Sequence, residues 1–273
     1  MDHSKAQNNN SFSANQRAYL IKHRQHHHRI SLARLLLLVL FLSLWETAAR
    51  LAWIDSFFFS SPYAILTYLA QMLRDYTFFT HTGITLLETV LSFLLVTFFS
   101  LLCSTLLWYQ KSLSEILEPY LVVLNSLPKS ALAPLLIVWL GTGTNTIIVA
   151  GISVAVFGSI ISLYTGFCQA DPEMLKLIYT LGGNRRDAFF KVIFPSSIPL
   201  ILSNMKINIG LSLVGVIIGE FLAARRGLGY LIIYGSQVFQ LNMVITSILI
   251  LCAIAMCFYK LIQSLEHFYR KKI

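Results

Sequence analysis

Six apolar runs dominate the sequence and limit the possible fold more than any other feature. They cover residues 32–52, 83–108, 118–140, 145–167, 197–222 and 243–263. A helix needs about 20 apolar residues to cross the hydrocarbon core of a bilayer. Only 12% of the 273 residues are charged, about half the usual share of a soluble domain. The sequence therefore predicts an all-α, polytopic membrane protein with six transmembrane helices.

Basic residues between the runs predict the orientation in the membrane. Fifteen of the 21 Lys and Arg residues lie in the two tails and in the loops after runs two and four. The opposite loops hold only four: Arg50, Arg74, Arg225 and Arg226. Because basic loops stay on the cytoplasmic side, both termini are expected in the cytoplasm of a cell whose inner membrane holds the chain.

The polar residues 1–30 predict a cytoplasmic N-terminal tail without fixed structure, ahead of a transmembrane domain over 31–273. The net charge of +9 does not indicate nucleic-acid binding, because the basic residues flank apolar runs instead of forming one patch. The four cysteines show no metal-ligand spacing, so neither a metal nor a disulfide is expected.

The longest polar segment between runs, residues 168–195, predicts two short helices joined by a glycine turn. Asp171, Pro172 and Glu173 suit a helix start, since Asp caps, Pro fits the first turn and Glu complements the positive helix end. Leu181, Gly182 and Gly183 suit its end. A second short helix containing Arg186 and Asp187 follows, and Pro195 is expected to stop it. The segment is either a linker resting on the membrane or a docking element for a cytoplasmic partner.

This segment resembles the signature loop of the permeases of binding-protein-dependent ABC importers. Gly182 is followed, after nine residues, by Val192-x-Phe194-Pro195. The family's E-A-A triplet is replaced here by Lys176, Leu177 and Ile178. Three further stretches resemble the nitrate, sulfonate and taurine branch of that family: residues 61–69, 124–143 and 218–232.

The resemblance implies a type I importer permease whose residues 168–195 form the coupling loop. Its partners would be ABC ATPase subunits, an extracytoplasmic substrate-binding protein and a second permease, either another copy or a similar subunit. The solute would be nitrate, a sulfonate or taurine, with a thiamine-pyrimidine or other vitamin precursor as the alternative. ATP would be hydrolysed by the partner, and the chain itself would bind no cofactor.

Three polar residues inside the runs are candidates for the translocation path or its gate: Lys129, Asn208 and Glu220. Lys129 could contact an anionic solute or cap carbonyls freed by the neighbouring prolines, and Asn208 could instead bond between helices. Glu220 is expected to pair with Arg225 and Arg226. Gly215 and Gly219 predict a packing face, either within the chain or against a second copy.

Motifs for chemistry are absent from the sequence. It contains no G-x-x-x-x-G-K-[ST] phosphate loop, G-x-S-x-G or H-E-x-x-H. A transport subunit without its own ATPase site is therefore expected. A stand-alone secondary transporter would be expected to show an inverted repeat, and a membrane enzyme would need convergent polar side chains. Neither feature is evident.

Overall fold

The structure is a computed structural model that describes residues 14–55 and 59–270. Those residues form helices and contain no strand, which confirms the all-α prediction. The helices are α1 Ala14–Arg50, α2 Pro62–Arg74, α3 Thr77–Tyr109, α4 Lys111–Ser126, α5 Lys129–Leu140, α6 Thr144–Cys168, α7 Pro172–Thr180, α8 Arg185–Ala188, α9 Phe194–Ala223, α10 Leu228–Gln237 and α11 Leu241–Arg270.

Five helical segments of the described chain are long and apolar enough to cross a membrane, at Leu32–Arg50, Thr77–Tyr109, Thr144–Cys168, Arg185–Ala223 and Leu241–Phe268. Helices α4 and α5 form a sixth candidate, bent by 97° at a short break. The bend falls at Leu127 and Pro128, because a proline disfavours helical conformation in the residue before it.

The chain divides into two compact units, residues 1–64 and 65–273. In the first unit α1 begins at Ala14, inside the stretch for which composition predicts disorder, and residues 1–13 lie outside the described residues. Near the end of α1, Glu46 accepts hydrogen bonds from the Arg50 Nε and the Tyr63 amide, at 2.7 and 3.0 Å. The tail prediction stays a prediction.

In the second unit α3 turns small polar side chains inward and apolar ones outward. Its buried positions recur every three or four residues and carry hydroxyl groups at Thr85, Thr89, Ser92, Ser100 and Ser104. Its exposed positions include Leu87, Leu91, Leu94, Phe98 and Leu102. Small residues allow helices to approach closely in lipid, where burial of apolar side chains provides no driving force. The pattern is the reverse of that of a helix in water and fits a membrane span.

Helix α9 contacts α6 through two glycines one turn apart. A Cβ added at Gly215 would lie 2.7 Å from the Cα of Gly151, and one at Gly219 would lie 2.9 Å from the Cα of Ile147. Gly151 in turn faces α3, since its added Cβ would meet the Ser92 Oγ at 2.5 Å. The glycine face of α9 therefore packs within the chain, the first of the two alternatives left open by the sequence.

Residues 185–223 form one uninterrupted helical run, so the prediction that Pro195 stops a short helix is wrong. A π-helix, Phe189–Ile193, joins α8 to α9. The Phe194 amide donates to the carbonyl of Phe189, five residues back. In a regular α-helix the Pro195 ring would clash with a carbonyl of the preceding turn, and the wider π-turn moves that carbonyl away. Pro195 lies in the first turn of α9, where its lack of an N–H is tolerated.

Replacing Gly215 by Val tests the contact between α9 and α6. We expect a loss of about 1–3 kcal/mol of stability, because backbone atoms of α6 have no room to move away from the added side chain. Thermal unfolding of the detergent-solubilised chain measures the effect. Gly210→Val on the same helix is the matched control, since nothing lies within 4 Å of an added Cβ there. Equal melting temperatures for the two variants would contradict the packing described.

Candidate functional site

The knuckle, residues 171–195, begins with a capped helix. Helix α7 starts at Pro172, and the Asp171 Oδ1 accepts a hydrogen bond from the Glu173 amide at 2.8 Å. Glu173 lies in the first turn, where its charge complements the positive end of the helix. Asp171, Pro172 and Glu173 therefore lie together as one helix start.

The end of α7 is a Schellman motif that requires both glycines. Gly182 has φ +78°, and its amide donates to the Tyr179 carbonyl at 3.1 Å. The Gly183 amide donates to the Ile178 carbonyl at 2.9 Å, and a Cβ on Gly183 would clash with that residue at 2.6 Å. These two bonds satisfy carbonyls that the helix end leaves free. Leu181 precedes the turn, and its side chain is 75% exposed.

The second helix of the knuckle begins with a capping box that sequence reasoning missed. The Asn184 Oδ1 accepts from the amides of Arg186 and Asp187, at 2.9 and 3.0 Å. The Asp187 Oδ2 accepts in return from the Asn184 amide at 3.0 Å. The spacing of a short polar residue and an acid three positions later is the signal that could have predicted it. Asp187 also pairs with Lys191 at 2.8 Å.

An aromatic cluster holds the knuckle against the membrane helices. Phe189 is only 2% exposed, and its ring centroid lies 5.4–6.1 Å from four other rings, those of Trp108, Tyr109, Phe167 and Phe194. These residues come from the ends of α3 and α6 and the start of α9. Sequence reasoning missed Phe189, because Trp108, Tyr109 and Phe167 are distant from it in the chain.

The opposite side of the knuckle is exposed, apolar and basic. Met174, Leu177, Leu181 and Phe190 are each more than half exposed, and Lys176 and Arg186 lie exposed among them. Exposed apolar groups flanked by charge are typical of a protein–protein contact. The knuckle therefore has a rigid frame and an uncovered face.

Glu220 lies at the other end of α9, fully buried. Its Oε1 accepts from the Thr85 hydroxyl at 2.7 Å, and its Oε2 accepts from the Gly229 amide at 2.5 Å. Thr85 accepts in turn from the Leu228 amide at 2.9 Å. Since Arg225 and Arg226 are exposed and neither is ion-paired with Glu220 in the described chain, the predicted pairing is wrong. The amides of the folded-back turn take the place of the arginines.

This Glu220 turn, residues 224–229 with the side chains that hold it, explains two glycines of the sequence. Gly227 has φ +117°, and a Cβ there would clash with the Glu220 Oε1. A Cβ at Gly229 would lie 2.7 Å from the Oε2. The His81 Nδ1 of α3 accepts from the Gly227 amide at 3.0 Å. His81 and Thr85 were both missed by sequence reasoning, because they lie more than 130 residues away in the chain.

Lys129 and Asn208 are engaged in contacts within the chain. Lys129 begins α5, donates to the Leu124 carbonyl that the helix break frees, and lies 5.1 Å from the Phe157 ring centroid. Asn208 is buried and donates to the Ser159 Oγ of α6 at 2.9 Å. These are the capping and helix-bonding alternatives of the sequence analysis.

The site residues therefore fall into separate places. The knuckle residues lie together, whereas Asn208 and Glu220 lie 12 residues apart on one helix, a rise of about 18 Å. Glu88, buried beside Glu220, is a further acid at that end of the chain.

Residues 97–271 match the family model described as the binding-protein-dependent transport system inner membrane component. A probable ABC transporter permease protein of Haemophilus influenzae is 31% identical over 88% of this chain and 97% of its own length. The formylaminopyrimidine transport permease protein ThiX of Halalkalibacterium halodurans is 27% identical, covering 71% and 77%. A putative aliphatic sulfonates transport permease protein, SsuC of Bacillus subtilis, is 25% identical, covering 85% and 84%.

The fold is similar to that of a chain in the inward-facing MetNI methionine ABC transporter. The TM-score is 0.59 at 15% identity, over 68% of this chain and 93% of that one. At this identity the similarity concerns the fold alone.

Replacing Glu220 by Ala tests the Glu220 turn. We expect a loss of about 1–3 kcal/mol of stability, because the Thr85 hydroxyl and the Gly229 amide would lose a buried acceptor. Hydrogen–deuterium exchange should become faster at the amides of 227–230. Glu118→Ala, an exposed acid on α4, serves as the control. Unchanged exchange at these amides in Glu220→Ala would show that the carboxylate does not hold the turn.

Proposed function

The chain belongs to the family of binding-protein-dependent transport system inner membrane components and is an ABC importer permease subunit, and we propose that its solute is of the nitrate, sulfonate and taurine class. The sulfonate permease aligns over more than four fifths of both chains. The second candidate is a formylaminopyrimidine-type vitamin precursor, favoured by the relative named for that transport.

The energy for import is proposed to enter through the knuckle. Its exposed Met174, Leu177 and Leu181, flanked by Lys176 and Arg186, suit a groove of mixed apolar and acidic character on an ABC ATPase subunit. Caps at both ends of the glycine turn make the knuckle rigid enough to act as a lever. This uncovered face on a rigid frame is the observation that carries the proposal.

The orientation follows from the same assignment. Trp108, at the end of α3, contacts Phe189 of the knuckle, so the ends of runs two and four lie on one side. We assign that side, together with both termini, to the cytoplasm of the inner membrane, because most of the basic residues lie there. The Glu220 turn then faces the substrate-binding protein.

Transport by this proposal is alternating access along an interface between two permeases, a homodimer in the simplest case. ATP brings the two ATPase subunits together, each moves one knuckle, and the cavity opens outward to receive the solute. Hydrolysis restores the inward-facing form. Glu220 would act at the outer gate by holding the turn before α10. Lys129 would lie on the path, with its ammonium at the helix break suited to an anionic solute, whereas Asn208 would support the path from the contact between α9 and α6.

Replacing Gly182 by Val tests the coupling role. A β-branched residue at φ +78° strains the backbone by about 1–2 kcal/mol or more, which should distort the turn and weaken ATPase docking. Co-purification of the ATPase subunit with the chain and solute uptake should both fall. Gly83→Val on α3 is the control, since Gly83 has no positive φ and nothing within 4 Å. If Gly182→Val bound the ATPase subunit and took up solute normally, the coupling role would be rejected.

Uptake by a strain lacking the importer, with and without the restored chain, tests the solute. We expect uptake of a radiolabelled alkanesulfonate, taurine or nitrate to return with the chain, and to need both the ATPase subunit and the binding protein. Restored uptake of formylaminopyrimidine alone would select the second candidate. Uptake by the purified chain in liposomes without a partner would reject the importer proposal.

A further inference from the structure

Besides the Phe189 cluster and its covalent continuation into α9, the knuckle contacts the end of α3 through Arg185. The Arg185 Nη2 donates to the Trp108 carbonyl of α3 at 3.0 Å. The guanidinium carbon lies 5.2 Å from the centroid of the Trp108 ring, within the range of a cation–π contact. Arg185 therefore binds both the backbone and the side chain of one residue.

The end of α3 is suited to receive a cation. Trp108 is the penultimate residue of α3, so its carbonyl is among the last four, which have no partner inside the helix. The carbonyl end of a helix is also the negative end of its dipole. The last turn of α3 has no basic residue of its own, so Arg185 supplies the charge from the knuckle.

Helix α3 and the run 185–223 are joined again at the ends opposite to the Arg185 contact. Arg185 belongs to the run 185–223. The last turn of that run contains Glu220, which bonds to Thr85 in the third turn of α3. Between Thr85 and Trp108 the helix α3 rises by about 35 Å. The two contacts thus fasten α3 to the run 185–223 on both sides of the bilayer, and the Ser92–Gly151–Gly215 packing lies between them.

We propose that Arg185 and Trp108 are positioning residues that make α3 move together with α9 when the knuckle moves. The inference rests on the proposed coupling role of the knuckle and adds a second route for the movement. If α9 moved alone, it would shift along α3 and break the Thr85–Glu220 bond that holds the outer turn. With α3 fastened to the knuckle, the outer turn follows the movement at the cytoplasmic side.

Uptake and ATP hydrolysis, measured in the same proteoliposomes, separate this role from docking. The sample is the purified complex of the chain with its ATPase subunit, assayed with the binding protein. For Arg185→Ala and for Trp108→Leu we expect normal complex formation and nearly normal hydrolysis. Solute taken up per ATP should fall about tenfold in Arg185→Ala, which loses both the charge-assisted bond to the carbonyl and the cation–π contact, and by a smaller factor in Trp108→Leu, which keeps the carbonyl and loses the ring. Lys111→Ala is the control, since Lys111 is a neighbouring basic residue that pairs with Glu115 on its own helix.

The double variant Arg185→Ala/Trp108→Leu tests whether the two residues act through each other. Residues that form one contact do not have additive effects, so the uptake-to-hydrolysis ratio of the double variant should equal that of Arg185→Ala alone, in which both parts of the contact are already lost. Arg185→Lys keeps a donor for the carbonyl and should restore part of the ratio, and Trp108→Phe keeps a ring under the cation and should do the same. These two conservative variants also give a measurement if the larger changes impair folding.

Three results would overturn the proposal: an unchanged ratio in Trp108→Leu, multiplied effects in the double variant, or uptake and hydrolysis that decline in proportion. Proportional decline with loss of the ATPase subunit would make Arg185 a docking residue. A failure of the knuckle assignment itself would look different, because Gly182→Val would then leave the complex intact whatever the Arg185 variants do.

Discussion

Close contact between backbones, made possible by glycine, determines the arrangement of the second unit. In lipid the apolar side chains of two helices gain nothing by leaving the acyl chains, so association depends on close packing and on polar bonds between helices. Gly215 and Gly219 bring α9 against α6, and Gly151 brings α6 against Ser92 of α3. Asn208 adds a hydrogen bond to Ser159 in the same contact. This layer holds a run of 39 residues in place, from the knuckle at one end to the Glu220 turn at the other.

The helix start and the glycine turn of the knuckle were predictable from local signals in the sequence. The cap at Asp171 and the glycine pair 182–183 act over a few residues, so their structural meaning is contained in the residues themselves. The positions of the spans were equally predictable, since the length and apolarity that a bilayer demands are visible in one dimension. The prediction that the helix stops at Pro195 was also a local inference. It was wrong because a π-turn accommodates the proline and the helix continues.

Contacts between distant parts of the chain were not predictable. Glu220 was expected to pair with the nearby arginines. Its carboxylate oxygens instead accept hydrogen bonds from Thr85, 135 residues earlier, and from the Gly229 amide, nine residues later. A buried carboxylate takes whatever donors the fold brings to it, and uncharged amides and hydroxyls are cheaper to bury than a guanidinium. The link from Arg185 to the end of α3 escaped detection for the same reason, since it spans 77 residues.

The π-helix sets the direction in which the knuckle points. Such a turn holds one residue more than the α-helix around it, and each residue of an α-helix turns the chain by about 100°. If the same five residues were wound as a regular α-helix instead, everything before them would turn by about 100°, roughly a quarter of a circle, about the axis of α9. The caps and the glycine turn would survive intact but face another way. The direction of the knuckle thus depends on the winding of one short segment, independently of the chemistry of its exposed surface.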